Sequence, residues 1–172
     1  GFILQRVRYG VIRNNKIIGK EVDESKAGNG VHVWKCKQLR IEKNSISGMR
    51  DGIYLEFVSN SFISNNSSKN NVRYGLHFMF SNNNEYHHNE FRNNGAGVAV
   101  MFSKHIKMHH NTFHYNWGTS SYGLLLKEIN DAEMHDNNFE QNTIGINIDG
   151  CNRITYKNNH FIRNGWALKF TG

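Results

Sequence analysis

A small residue followed by a short alternating apolar run recurs along this chain, and its spacing constrains the fold more than any other feature. The small residue falls at Gly1, Gly30, Gly52, Gly75, Gly97, Gly123, Gly145 and Ala167, with steps of 29, 22, 23, 22, 26, 22 and 22 residues. A period near 22 is the signature of stacked repeats, in which each unit buries its apolar face only against its neighbours. Further columns keep the same step. Asn15, Asn44, Asn66, Asn89, Asn111, Asn137 and Asn159 hold one place in each unit. Two residues on stand Ile17, Ile46, Ser68, Phe91, Phe113, Phe139 and Phe161, and three residues before the Asn stand Ile12, Ile41, Ile63, Tyr86, Met108, Met134 and Tyr156.

The apolar residues alternate around both anchors, and no stretch keeps the 3.6-residue spacing of a helix. Each unit therefore reads as two or three short strands joined by polar bends, with like residues stacked at the ~4.8 Å spacing of paired strands. The expected fold is all-β: a right-handed, single-stranded parallel β-helix of seven to eight coils, about 22 residues each, forming one domain over residues 1–172. The Phe column is expected to stack inside and the Asn column to hydrogen-bond in a turn. Apolar content of only 38% suits a thin solenoid, and the absence of Pro suits strands that donate on both edges. Sixteen Gly and many Asn point to bends built from residues that tolerate left-handed backbone. Two longer units place insertions at Lys20 to Ala27 and at Trp117 to Ser121, expected to project from the same bend before the small residue. One extra residue between Asn66 and Gly75 reads as a bend.

The formal charge of +7 is scattered over every unit without a run of basic residues, which argues against nucleic-acid binding. No stretch approaches the ~18 apolar residues of a membrane-spanning helix. The first residues show no charged region followed by an apolar one, so no signal peptide is read there. The chain opens inside a strand-like pattern and reads as part of a longer protein.

In the strand after each small residue the first and third positions face inward: Val31 and Val33, Ile53 and Leu55, Leu76 and Phe78, Val98 and Val100, Leu124 and Leu126, Ile146 and Ile148. The second and fourth then face outward, because successive side chains alternate. The middle coils accordingly present His32, Trp34, Tyr54, Glu56, His77, Met79 and Met101 on one outer patch. His77, Met79 and Met101 stand close enough to converge on one ion, and thioether with imidazole favours Cu(I) over hard cations. An apolar patch for a partner protein is the competing reading.

One and two places before the Asn column stand His87 and His88, His109 and His110, and His135 with Asp136, an outward His ladder on another face. It reads equally as a metal site and as stacked neutral imidazoles. His105, His114 and His160 read as surface residues without partners. Cys36 and Cys151 share a column five coils apart, about 24 Å at ~4.8 Å per coil, beyond the ~7 Å reach of a disulfide.

Many parallel β-helices act on polysaccharides with clustered carboxylates on one groove. Here Glu56 and Asp149, the closest outward pair, lie four coils apart, while Glu128 and Asp131 sit in a turn. Carbohydrate binding or processing is the main alternative function, and no catalytic residue is assigned.

The phrases Gly28-Asn-Gly-Val-His-Val-Trp34, Arg50-Asp-Gly-Ile-Tyr-Leu-Glu56, Arg73-Tyr-Gly-Leu-His-Phe-Met-Phe-Ser81, Gly97-Val-Ala-Val-Met-Phe-Ser103 and Tyr122-Gly-Leu-Leu-Leu126 resemble the NosD family, periplasmic β-helix proteins of nitrous oxide reductase maturation. The resemblance runs over nearly the whole chain in order. His-x-Met-x-Ser and Val-Met-x-Ser are its most specific parts. It implies a non-catalytic periplasmic protein working with an ATPase and a membrane subunit of the NosF and NosY type. It also implies copper received from a lipoprotein chaperone and passed towards nitrous oxide reductase. His77, Met79 and Met101 would then contact copper, with His32, Trp34, Tyr54 and Glu56 around them. Such proteins are about twice this length, so the resemblance covers their central and later coils.

Overall fold

The computed structural model describes residues 1–20 and 23–172. Their strands form three parallel sheets of eight, seven and seven strands, and no helix occurs among the described residues. Every strand pairs with the strand three elements further along, so the chain winds seven three-strand coils and ends on an eighth first-sheet strand, Trp166–Thr171. This is a parallel β-solenoid, as the period requires.

The register follows the columns read from the sequence. In the first sheet Phe78 pairs with Leu55 and Val100, and in the second Ile41 pairs with Ile12 and Ile63. The third sheet stacks Phe91, Phe113, Phe139 and Phe161 with centroids 5.4, 4.5 and 5.0 Å apart. All twelve inward positions on the six middle strands of the first sheet are buried. Removing one interior ring, as in Phe113→Ala, is worth roughly 3–5 kcal/mol.

The Asn column is a continuous side-chain ladder. The amide of Asn66 donates to Asn89 Oδ1 (3.0 Å), that of Asn89 to Asn111 (3.1 Å) and that of Asn111 to Asn137 (3.1 Å). A second ladder stands five residues on, through Asn71, Asn94, Asn116, Asn142 and Asn164, with the Asn94 to Asn116 link made by the backbone N–H. Each buried amide also receives a backbone N–H and donates to a carbonyl one coil back, or in Asn71 to the Ser68 hydroxyl, so polar bends close without loss of hydrogen bonds.

The bends depart from expectation in one respect. Left-handed backbone is adopted not only by Asn but by Phe57, Phe80 and Phe102 (φ 55°, 48° and 51°), a conformation that bulky residues seldom take. The insertions do share a corner, between Lys16–Ile18 and Val31–Trp34 and between Thr112–His114 and Tyr122–Lys127. Residues 21 and 22 of the first insertion lie outside the described residues, while Glu24 reaches Arg73 at 3.5 Å. Cys36 and Cys151 are both free thiols.

Candidate functional site

The fourth outward column of the first sheet runs Trp34, Glu56, Met79, Met101, Lys127, Asp149, each paired with the next. Met79 and Met101 are therefore adjacent rungs on strands Tyr74–Met79 and Ala96–Met101, and both are half-buried. Neighbouring strands lie ~4.8 Å apart, about twice a metal–sulfur bond of ~2.3 Å. Side chains rooted at that spacing can bring two thioether sulfurs to either side of one soft cation. The Ser that ends each phrase works in the bend: Ser81 Oγ donates to the Met79 carbonyl (2.8 Å), and Ser103 Oγ does the same for Met101 (2.9 Å).

His77 leaves the sheet on the same outer side as Met79 but is not open to solvent, contrary to the expectation of an exposed patch. Its side chain is 8% exposed. The Tyr54 and Tyr74 rings stand 5.0 and 4.8 Å away, and Nδ1 lies 3.5 Å from Asp51 Oδ2. That contact is too long and poorly aligned for a hydrogen bond, so both ring nitrogens are buried without a hydrogen-bond partner among the described residues. Asp51 is fully buried and gripped by Arg73, whose Nε and Nη2 donate at 2.9 and 2.8 Å. Burial works to raise the Asp51 carboxyl, but contacts from His77 and Arg73 outweigh it and hold it below its ordinary value. The first sheet thus brings Met79 and Met101 together and keeps His77 beneath an aromatic and ionic roof.

The remaining patch residues have their own partners. His32 packs edge-on against Tyr54 at 4.8 Å, and the Tyr54 hydroxyl donates to Glu56 Oε2 at 3.2 Å. Trp34 lies between cations, with Lys35 Nζ 4.3 Å and the Arg6 guanidinium 5.6 Å from the ring. Immediately after Glu56, Met79 and Met101 come exposed rings: Phe57, Phe80 and Phe102 stack with centroids 5.2 Å apart. This aromatic ladder borders the thioethers. The repeated Met-Phe-Ser phrase was its signal in the sequence.

The His ladder lies at the corner that ends the second sheet. His87, His109 and His135 stack with centroids 5.0 and 4.8 Å apart, and His88 stacks on His110 at 4.9 Å. Burial holds His87 and His88 below the ordinary imidazole value, with repulsion from His109 and His110 adding to it. Contrary to expectation, His114 has a partner: its Nε2 lies 2.9 Å from Glu90 Oε1, because the carboxylate stands one coil earlier and two residues across.

A solenoid with thioethers on adjacent strands, a buried imidazole without a hydrogen bond among the described residues and an imidazole ladder on its surface is a parallel β-helix protein that carries soft and borderline donors on its outer side. Residues 13–172 match the NosD family, described as periplasmic copper-binding proteins, and the chain belongs to that family. Among curated proteins none matches the sequence significantly. Solved structures similar in fold include a variant of the periplasmic alginate epimerase AlgG, with 16% identity and a TM-score of 0.74 over 99% of this chain and 47% of that one. The Azotobacter vinelandii mannuronan C-5 epimerase AlgE6 A-module gives 13% identity and a TM-score of 0.61 over 100% of this chain and 51% of that one. A bacteriophage CBA120 tailspike enzymatic domain gives 10% and 0.61 over 98% and 36%. The chain therefore spans about half the length of these structures or less, and at such identity they bear on fold alone.

Proposed function

We propose that this chain is the copper-handling solenoid of a periplasmic accessory protein. It receives Cu(I) from a chaperone lipoprotein and passes it towards nitrous oxide reductase, in concert with an ABC-type ATPase and membrane subunit. It is non-catalytic and treats copper as cargo. The observation that carries the reading is the Met79–Met101 rung, two half-buried thioethers on adjacent strands beside a buried imidazole whose nitrogens have no hydrogen bond. Thioether sulfur selects Cu(I) over the hard cations that carboxylates would hold. The Phe57, Phe80 and Phe102 ladder beside it provides apolar surface on which a donor or acceptor protein can dock.

Anaerobic Cu(I) titration against a chromophoric competitor tests this. One equivalent should bind, and Met79→Leu with Met101→Leu should remove it while the circular dichroism and unfolding midpoint barely change, since Met to Leu nearly conserves volume. Unaltered Cu(I) affinity in that double variant would refute the assigned site.

A further inference from the structure

The geometry points to a second metal site, separate from the thioether rung, in which His109, His110, His135 and Asp136 bind a divalent cation of the Cu(II) or Ni(II) class. Along a strand, consecutive side chains point to opposite faces. At this corner the second residue of each pair, His110 or Asp136, has left-handed backbone (φ 53° in both), which swings its side chain back beside its predecessor. As a result His109 Nδ1 lies 2.8 Å from His110 Nδ1, and His135 Nδ1 lies 2.7 Å from Asp136 Oδ2. Two consecutive residues act as one chelating jaw, and the next coil supplies another directly beneath. Ligand atoms of His110, His135 and Asp136 all lie within 4.8 Å of one another.

The jaw width favours a particular coordination. With metal–nitrogen bonds of about 2.0–2.1 Å, cis ligands at a right angle stand ~2.9 Å apart, whereas tetrahedral ligands stand ~3.3 Å apart. The His109–His110 separation of 2.8 Å and the equivalent His87–His88 separation of 2.9 Å are hydrogen-bond lengths in the metal-free chain and coincide with the span of a right-angled pair of ligands. Square-planar and tetragonal N,O sites belong to Cu(II) and Ni(II).

The tautomer is arranged as well. His109 Nε2 lies 2.7 Å from Glu85 Oε1, a carboxylate that accepts a hydrogen bond from Nε2–H and leaves the Nδ1 lone pair turned into the jaw. Carboxylates placed behind ligating imidazoles play this orienting role. In the metal-free protein one proton holds the two Nδ1 atoms of the jaw together as a hydrogen bond. A cation replaces that proton once the rings turn their Nδ1 lone pairs towards it, and His110 takes a proton from solvent at Nε2, so both imidazoles stay neutral. The rung above has the same jaw at His87 and His88 but no aspartate, so the coil with Asp136 is the one equipped to neutralise a divalent charge.

This inference stands independently of the thioether reading, and oxidation state separates the two. Cu(II) titrated calorimetrically into the full chain should bind one equivalent. Its electron paramagnetic resonance spectrum should show superhyperfine structure from at least two equatorial nitrogens. His110→Ala with His135→Ala should weaken Cu(II) at least about tenfold while leaving anaerobic Cu(I) binding intact, which also reports that the solenoid is folded. Asp136→Asn should weaken Cu(II) less and keep the nitrogen pattern. Undiminished Cu(II) affinity in the His double variant, an all-oxygen spectrum, or loss of Cu(II) in the Met79→Leu, Met101→Leu variant would each overturn the assignment.

Discussion

The outer face of the first sheet and the corner of the second carry the same imidazole chemistry in opposite settings. On the face, alternation separates donors by two residues along a strand and one strand across, so Met79 and Met101 meet only because adjacent coils place them side by side. His77, two residues away, is drawn instead into the Asp51–Arg73–Tyr74 cluster. At the corner, left-handed residues cancel the alternation and neighbours in sequence become neighbours in space, as with His109 and His110. A strand face gathers donors across coils and embeds them in the stability of the sheet. A corner gathers them within a coil and leaves them in solvent.

The largest expected effect follows from that embedding. Arg73→Ala strands the fully buried Asp51 carboxylate and should cost about 3–5 kcal/mol in urea unfolding, whereas Glu85→Ala beside the corner should cost about 1 kcal/mol because water can replace its partly exposed hydrogen bond to His109. Comparable losses at the two positions would erase the contrast between face and corner.

Acid should discriminate next. Asp51 is held below its ordinary 3.8, so its contribution is complete above that pH and is lost as pH falls through the lower folded value. Wild type should therefore lose stability more steeply below about pH 4 than Asp51→Asn, as read by unfolding midpoints across pH 2–5 buffers.

Solvent access gives a finer test. His77 should react with an imidazole acylating reagent many times more slowly than His110, read by peptide mass spectrometry, and Tyr54→Ala should raise the His77 rate selectively. Equal rates in wild type would mean that the roof over His77 is open. The smallest effect is expected for Met79→Leu with Met101→Leu, which should shift stability by less than about 1.5 kcal/mol while abolishing Cu(I) uptake.

How much of this was legible in the sequence differs between the two regions for a physical reason. The register was legible because every coil repeats the same inward pair, so that Leu76 and Phe78 could be set against Val98 and Val100 without structural knowledge. Periodicity alone also placed Met79 beside Met101. The roof over His77 was not legible, since Asp51 and Tyr74 precede the small residue and fall outside the alternating run from which columns were read. Nor was the convergence of His109 with His110, because alternation is the rule that a left-handed corner breaks. The second Asn ladder was visible as a recurring five-residue step, Asn66 to Asn71 and Asn89 to Asn94, and only the first was noticed. The Phe57, Phe80 and Phe102 stack was masked by the expectation that bends are made by Gly and Asn.

The Asn ladders have one more consequence. The amide-to-amide bonds in them all run in the same sense, from Asn15 towards Asn159 and from Asn71 towards Asn164, with Asn94 joining Asn116 through its backbone N–H, and each oxygen faces back the other way. Hydrogen bonds aligned head to tail polarise one another, so the interior holds two parallel rows of dipoles running along the axis. Coils that are nearly alike in sequence are thus not alike in electrical surroundings, and the solenoid has a built-in sense of direction that no single repeat possesses.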